Sequence, residues 1–190
     1  PAEEGAPLGE EGGATLMVKE GVMDKPEVDA IFGLHAWPGL IGTAQYRSGP
    51  TMAAAERMRI TVTGVQTHGA KPWGGVDPIV VSSQIIMSLQ TIVAREVDIT
   101  EVPAVVTIGS IHGGVRNNII PEEVVMEGTI RTFKKKIRDQ IHKSIKNKVE
   151  MIASASGAKA KVEIFSNIAK VTYNEPSLTE QMLPSLRRVY

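Results

Sequence analysis

The chain has 190 residues, of which 42% are hydrophobic and only 4% aromatic, so a core can form and must be built mainly from Ile, Val, Leu, Met and Ala. Lys plus Arg and Asp plus Glu both number 21, which gives none of the basic excess expected of a nucleic-acid binder. Cysteine is absent, excluding disulfides and thiolate metal sites, and no run of about 18 apolar residues suggests a membrane span.

The start, Pro1-Ala2-Glu3-Glu4-Gly5, is acidic and small and has no signal-peptide character. It also lacks an initiator Met, which points to a start inside a longer protein. Residues 5–13, rich in Gly, Pro and Glu, read as a loop. Ala14 to Glu20 reads as a short helix stopped by Gly21. Asp29 to His35 reads as a short buried strand ending in a histidine and broken by Trp37-Pro38-Gly39.

From Arg57 to Val65 the residues alternate, with Met58, Ile60 and Val62 on one face and Arg59, Thr61 and Thr63 on the other, as in a half-buried strand. Gln66 to Val76 reads as a long turn. Asp77-Pro78 is a strong helix start, because Asp can cap free N–H groups and Pro fits the first helical position. Val81, Ile85, Leu89 and Ile92 follow at helical spacing.

Ala104 to Ile111 is a second strand and Glu122 to Phe133 a third, with Val124, Met126 and Ile130 opposite Glu127, Thr129 and Arg131. Lys134 to Ser156 is a second helix with the stripe Ile137, Ile141, Ile145, Val149 and Ile152, ended by Gly157; Lys134-Lys135-Lys136 reads as its solvated start. Ala160, Val162 and Ile164 alternate with Lys159, Lys161 and Glu163 in a fourth strand. The order β-α-β-β-α-β predicts an α/β (α+β) fold: a ferredoxin-like, four-stranded antiparallel sheet with two helices on one face. The flanks, 1–50 and 169–190, do not complete domains of their own. The second holds the turn Asn174-Glu175-Pro176 and a helix start at Ser177 or Thr179.

Four constellations could carry chemistry. Glu3-Glu4 is either an acidic surface pair or a base beside a metal-holding carboxylate. His35 is either a satisfied core histidine or a ligand. His68, in the glycine-rich stretch Thr67-His68-Gly69-Ala70-Lys71-Pro72, is either an exposed loop residue or a site residue. Asn118 fits turn chemistry, and Arg131 fits either a solvated sheet face or a clamp for a carboxylate. His112 reads as a strand-end residue and His142 as an exposed helix residue.

In order along the chain, Pro-Ala-Glu3-Glu4-Gly, Phe-Gly-Leu-His35, Ser48-Gly-Pro, Thr67-His68-Gly69-Ala70-x-Pro72, Asn118-Ile-Ile-Pro121 and Gly128-Thr-Ile-Arg131 resemble the aminoacylase, hippurate hydrolase and auxin-conjugate amidohydrolase branch of the M20 metallopeptidases. The resemblance implies a catalytic domain with two divalent metal ions, zinc first and manganese, cobalt or nickel as alternatives, carrying an inserted lid that makes a homodimer. It divides the chain into part of the catalytic domain at 1–50, the lid at 51–168 and a return segment at 169–190. Glu3 matches the general base, and Glu4 and His35 match metal ligands. His68 matches a lid histidine that reaches the partner's active site, Asn118 and Arg131 match residues holding the substrate's carbonyl and carboxylate, and Gly69 matches a point of close backbone approach.

The implied reaction is hydrolysis of the amide bond of an N-acyl amino acid or small peptide, in the cytoplasm, with no nucleic acid or membrane partner. The family's other ligands, an upstream Cys-x-His or His-x-Asp segment and a late histidine, are absent here, and Gly9-Glu10-Glu11-Gly12 reads as an insertion. Two ligands do not hold two metals, so the 190-residue chain is expected to be inactive by itself. The competing expectation is a non-catalytic dimerisation module. A ferredoxin-like RNA-binding domain is excluded by the lack of stacking aromatics and of net positive charge.

Overall fold

A computed structural model describes residues 12–189, apart from the side chains of residues 166–168. The described residues fall into two units, 12–46 with 180–189, and 47–179.

In the first unit, α1 (Gly13–Lys19) is followed by Gly21, whose φ of 80° lies in the left-handed region that glycine tolerates best. The expected strand from Asp29 to His35 does not form. A strand needs a neighbour for its N–H and C=O groups, and no described residue pairs with this segment. Its apolar residues are therefore open, with Leu34 86% exposed.

The second unit begins with β1 (Gly49–Met52) and β2 (Ala54–Thr63). The stretch expected as a plain turn holds a two-residue strand, β3 (Thr67–His68), and a 3₁₀ turn at Pro72–Gly74, closed by a bridge between Val65 and Val76. α2 (Pro78–Thr91) starts at Asp77, whose carboxylate accepts from the N–H groups of Ile79 and Val80 at 2.8 and 3.3 Å. It runs into one π-helical turn, Ile92–Glu96. Pro78–Glu96 is long and apolar enough by composition to cross a membrane, but its Val81, Ile85, Leu89 and Ile92 lie in the core of this unit.

β4 (Ala104–Gly113), β5 (Ile119–Ile120), β6 (Glu123–Thr132), α3 (Lys135–Ala155), β7 (Lys159–Ala169) and β8 (Thr172–Asn174) follow, and α4 (Pro176–Leu186) closes the chain. The main sheet has the order β4-β6-β2-β7, all antiparallel, as the βαββαβ reading requires. Met58, Ile60, Val62, Val124, Met126 and Ile130 face the helices and are fully or almost fully buried. On α3, Ile137, Ile141, Ile145 and Val149 meet them, with Ala153 continuing the stripe and Ile152 only partly buried beside it. Gly157, at φ 73°, ends α3 where expected.

Burial of these aliphatic side chains is the main stabilising term, each contributing about 1.5–3 kcal/mol relative to exposure. The small β1–β8 ladder is tied by the Asn174 amide, which donates to the Arg47 carbonyl at 2.8 Å and to Thr51 Oγ1 at 2.9 Å.

Candidate functional site

β3 exists because it pairs with β5: Thr67 opposes Ile120 and His68 opposes Ile119. The ladder continues one residue further, where the Gly69 N–H donates to the Asn118 carbonyl at 2.8 Å. A Cβ at Gly69 would stand 3.2 Å from the carbonyl carbon and oxygen of Asn118, closer than most side chains tolerate. Glycine is what lets the two loops meet. His68 and Asn118, fifty residues apart in sequence, thus stand at neighbouring backbone positions, diagonal to one another on the ladder, and both are exposed.

The His68 ring is oriented. Its Nδ1 lies 3.0 Å from the Ala70 amide nitrogen. A backbone N–H can only donate, so Nδ1 is the acceptor and, in the neutral imidazole, the ring proton sits on Nε2. That leaves the Nε2 N–H without a hydrogen-bond partner among the described residues. The Asn118 side chain makes no hydrogen bond among the described residues, so its amide is available too.

Arg131 is elsewhere. It lies on β6 opposite Ala55 of β2 and Val105 of β4, on the sheet face that the helices leave open. Its Nη1 donates to Thr129 Oγ1 at 2.5 Å and to the Ile130 carbonyl at 3.3 Å, and Thr129 Oγ1 in turn donates to the Glu56 carbonyl at 3.2 Å. No carboxylate among the described residues pairs with it. Nearby on the same face, Arg59 binds Glu127 at 2.6 Å, and that bond holds the Glu127 carboxyl below its usual range. Eight residue steps along β6 separate Glu123, at the His68 end, from Arg131, a span of roughly 27 Å at strand rise. Within this chain, then, the backbones at His68 and Asn118 adjoin and Arg131 is not with them.

His35 is exposed rather than buried at a strand end. Its Nδ1 donates to the Ala36 carbonyl at 2.6 Å, which leaves Nε2 as the atom able to hold a metal, and its ring packs edge-on to Trp37 at 5.7 Å between centroids. Glu3 and Glu4 lie outside the described residues. Among the described residues, no group of three or more His, Cys, Asp or Glu side chains could hold a metal ion. Among the described residues His35 is thus one nitrogen without companions, and these residues do not fit a two-metal centre by themselves.

The expectation that His142 is an exposed helix residue is corrected. Its side chain is only 21% exposed, and Nε2 lies 2.7 Å from Oε2 of Glu56, a carboxylate 3% exposed. The signal lay in β2. Residues 54, 56, 58, 60 and 62 form the buried face, so a glutamate at 56 needs a partner from the helix above.

The family model described as a peptidase dimerisation domain matches residues 55–156. N-acetyl-L-cysteine deacetylase of Bacillus subtilis is 40% identical over 164 residues, covering 86% of this chain and 38% of the relative. Thermostable carboxypeptidase 2 of Saccharolobus solfataricus is 34% identical over 192 residues, covering 100% of this chain and 47% of the relative. The crystal structure of the YxeP protein of Bacillus subtilis, a dinuclear metal-binding peptidase of the M20 family, superposes with a TM-score of 0.70 at 32% identity, over 93% of this chain and 43% of that one. The chain spans less than half the length of each of these proteins.

Proposed function

Because the chain belongs to the peptidase dimerisation domain family, we propose that it is the dimerising lid, with adjoining catalytic-domain segments, of a metal-dependent hydrolase that cleaves the amide bond of N-acyl amino acids or small peptides. The lid is residues 51–168, and 1–50 and 169–190 are the adjoining segments. The observation that carries this reading is the His68–Asn118 pair, held together by the Gly69 bond with the His68 ring proton on Nε2. Two exposed donors on a rigid ladder suit a carbonyl oxygen that becomes negative as its carbon is attacked; loss of one such donor typically costs about 10²–10³ in rate. Arg131 suits the substrate carboxylate, because a guanidinium offers paired donors in the matching plane.

The separation of these groups within a protomer is resolved by pairing two copies. Of the two edge strands, β7 carries Lys159, Lys161 and Glu163, charges that discourage pairing. β4 has no Asp, Glu, Lys or Arg, and exposes Val105 and Ile111, at 46% and 45%. Beside it α2 exposes Ile79, Val80 and Met87, with Ile79 Cδ1 close to Gly114 at the end of β4. A two-fold axis across β4 pairs the strand antiparallel with its copy. Gly113 opposes Val124 near the His68 end, and Val105 opposes Arg131 at the other. Antiparallel pairing therefore sets one protomer's His68 end beside its partner's Arg131 end.

By the resemblance, Glu3 would take the proton from the attacking water and return it to the leaving nitrogen, and Glu4 and His35 would hold metal. Two divalent ions belong to the whole enzyme's centre, and zinc, manganese, cobalt and nickel all suit carboxylate and imidazole ligands. The 190-residue chain itself is inactive on this reading. A non-catalytic dimerisation module is the second reading, favoured for the chain alone by the absence of a metal-holding cluster among the described residues.

Mixing protomers of the full-length enzyme tests the proposal. His68→Ala and Arg131→Ala homodimers are each expected to lose most activity. Mixed dimers recover it, because one of their two sites then takes His68 from the Arg131→Ala protomer and Arg131 from the other. No recovery on mixing would sink the shared-site arrangement, and full activity of His68→Ala would sink the role of His68.

A further inference from the structure

A second polar site lies at the far end of the helix-covered face, where β2, α3 and the end of β7 meet. A cavity of about 120 Å³ opens there, lined by Glu56, Thr132, Lys134, Lys135, Arg138 and Lys170 among others. Glu56 is 2% exposed. Its Oε2 is bonded to His142, but its Oε1 is buried without a hydrogen-bond partner. Arg138 Nε is buried without one as well, 3.5 Å from Asp139 Oδ1. The same cavity receives the N-terminus of α3, a helix of 21 residues whose Lys134 cap makes no side-chain capping bond and whose first turn holds no acidic residue. Lys134 is paired with Glu101 and Lys135 with Asp139, whereas Lys170 is exposed and makes no ion pair among the described residues.

The charges decide what fits. A simple anion would suit Arg138, Lys170 and the helix N-terminus but would face the buried Glu56 carboxylate. A simple cation would suit Glu56 but would face the bases. A molecule with an ammonium and a carboxylate on neighbouring atoms satisfies both, and the volume restricts it to a small one. We propose that this cavity binds a free α-amino acid with a small side chain, its ammonium at the Glu56 carboxylate and its carboxylate on Arg138, Lys170 and the α3 N–H groups. Neither Glu56 nor Lys170 belongs to the proposed catalytic set, so binding here does not depend on the hydrolase reading. Only its meaning, sensing of a released amino-acid product, rests on that reading.

The test is titration of the isotope-labelled 190-residue chain with L-alanine, sodium acetate and methylammonium chloride at matched ionic strength, followed by amide NMR. L-alanine is expected to give saturable shifts confined to residues 54–56, 132–138 and 169–171. Acetate and methylammonium should bind about tenfold more weakly or worse, since each lacks one charge-assisted contact. Lys170→Ala, a surface change that folding tolerates, should weaken L-alanine about tenfold. Absence of saturable shifts with L-alanine, acetate binding as tightly as L-alanine, or unchanged affinity in Lys170→Ala would each overturn the proposal. None of these outcomes bears on the protomer-mixing result.

Discussion

The amide of Gly69 donates to the carbonyl of Asn118 at 2.8 Å, so the loop bearing His68 and the loop bearing Asn118 are one piece of backbone structure. Replacing Gly69 by Ala puts a methyl group 3.2 Å from that carbonyl, and the loops must part by a few tenths of an ångström. The expected result is a stability loss of about 1 kcal/mol in urea unfolding, with a larger proportional loss of kcat in the full enzyme. Asn118→Ala removes an exposed side chain with no described partner and should leave stability within about 0.5 kcal/mol while lowering kcat. Equal effects of both variants on stability would contradict this division.

Glu56, buried, and His142, half-buried, form a pair across the sheet–helix interface. Glu56→Ala leaves the imidazole facing an emptied polar space and is expected to cost roughly 3 kcal/mol. A double-mutant cycle with His142→Ala, read by urea unfolding, should give a coupling of about 1–3 kcal/mol. Strict additivity would show that the 2.7 Å contact contributes nothing.

Met87→Lys with Ile111→Lys places two charges on the α2 and β4 surfaces assigned to the dimer. Light scattering should show a dimer for the parent enzyme and a monomer for the double variant, with unchanged circular dichroism. A dimer that persists would move the interface away from the β4 edge.

Glu96, in the π-helical turn after α2, provides a pH signature. Burial raises its carboxyl, but the Ser144 hydroxyl and Lys148, hydrogen-bonded and ion-paired to it, outweigh burial and hold it below the ordinary carboxylate range. The folded state therefore holds fewer protons than the unfolded state near that pH. The stabilisation is complete above the unfolded value and disappears as pH falls through the lower folded value. Glu96→Gln should shift the urea midpoint down at pH 7, and the gap should close as pH falls through the lowered Glu96 carboxyl. A gap that widens on acidification would reverse the sign.

Much of the second unit was legible because its signals were local. Asp77-Pro78 announced α2, the stripe Ile137 to Val149 announced α3, and alternation announced β2, β6 and β7. The failures were of another kind. Asp29 to His35 has strand composition, but composition cannot supply the neighbouring strand that the backbone requires. β3 and β5, two residues each, are too short for any periodicity and exist through each other. Glu56 and His142 were missed because their relation crosses 86 residues, although a carboxylate at a buried strand position was the clue. His68, Asn118 and Arg131 were picked out by motif, yet only the sheet register revealed that the first two adjoin and the third stands apart.

The position of β2 at the middle of the sheet bears on how the protein is made. This strand leaves the ribosome before both of its neighbours, and the Arg59–Glu127 contact alone joins residues 68 apart. Met58, Ile60 and Val62 must wait, uncovered, while α2, β4 and β6 are translated. At about 5–20 residues per second that wait lasts seconds, long enough for a chaperone to find them, and folding paced by such distant pairings is slow.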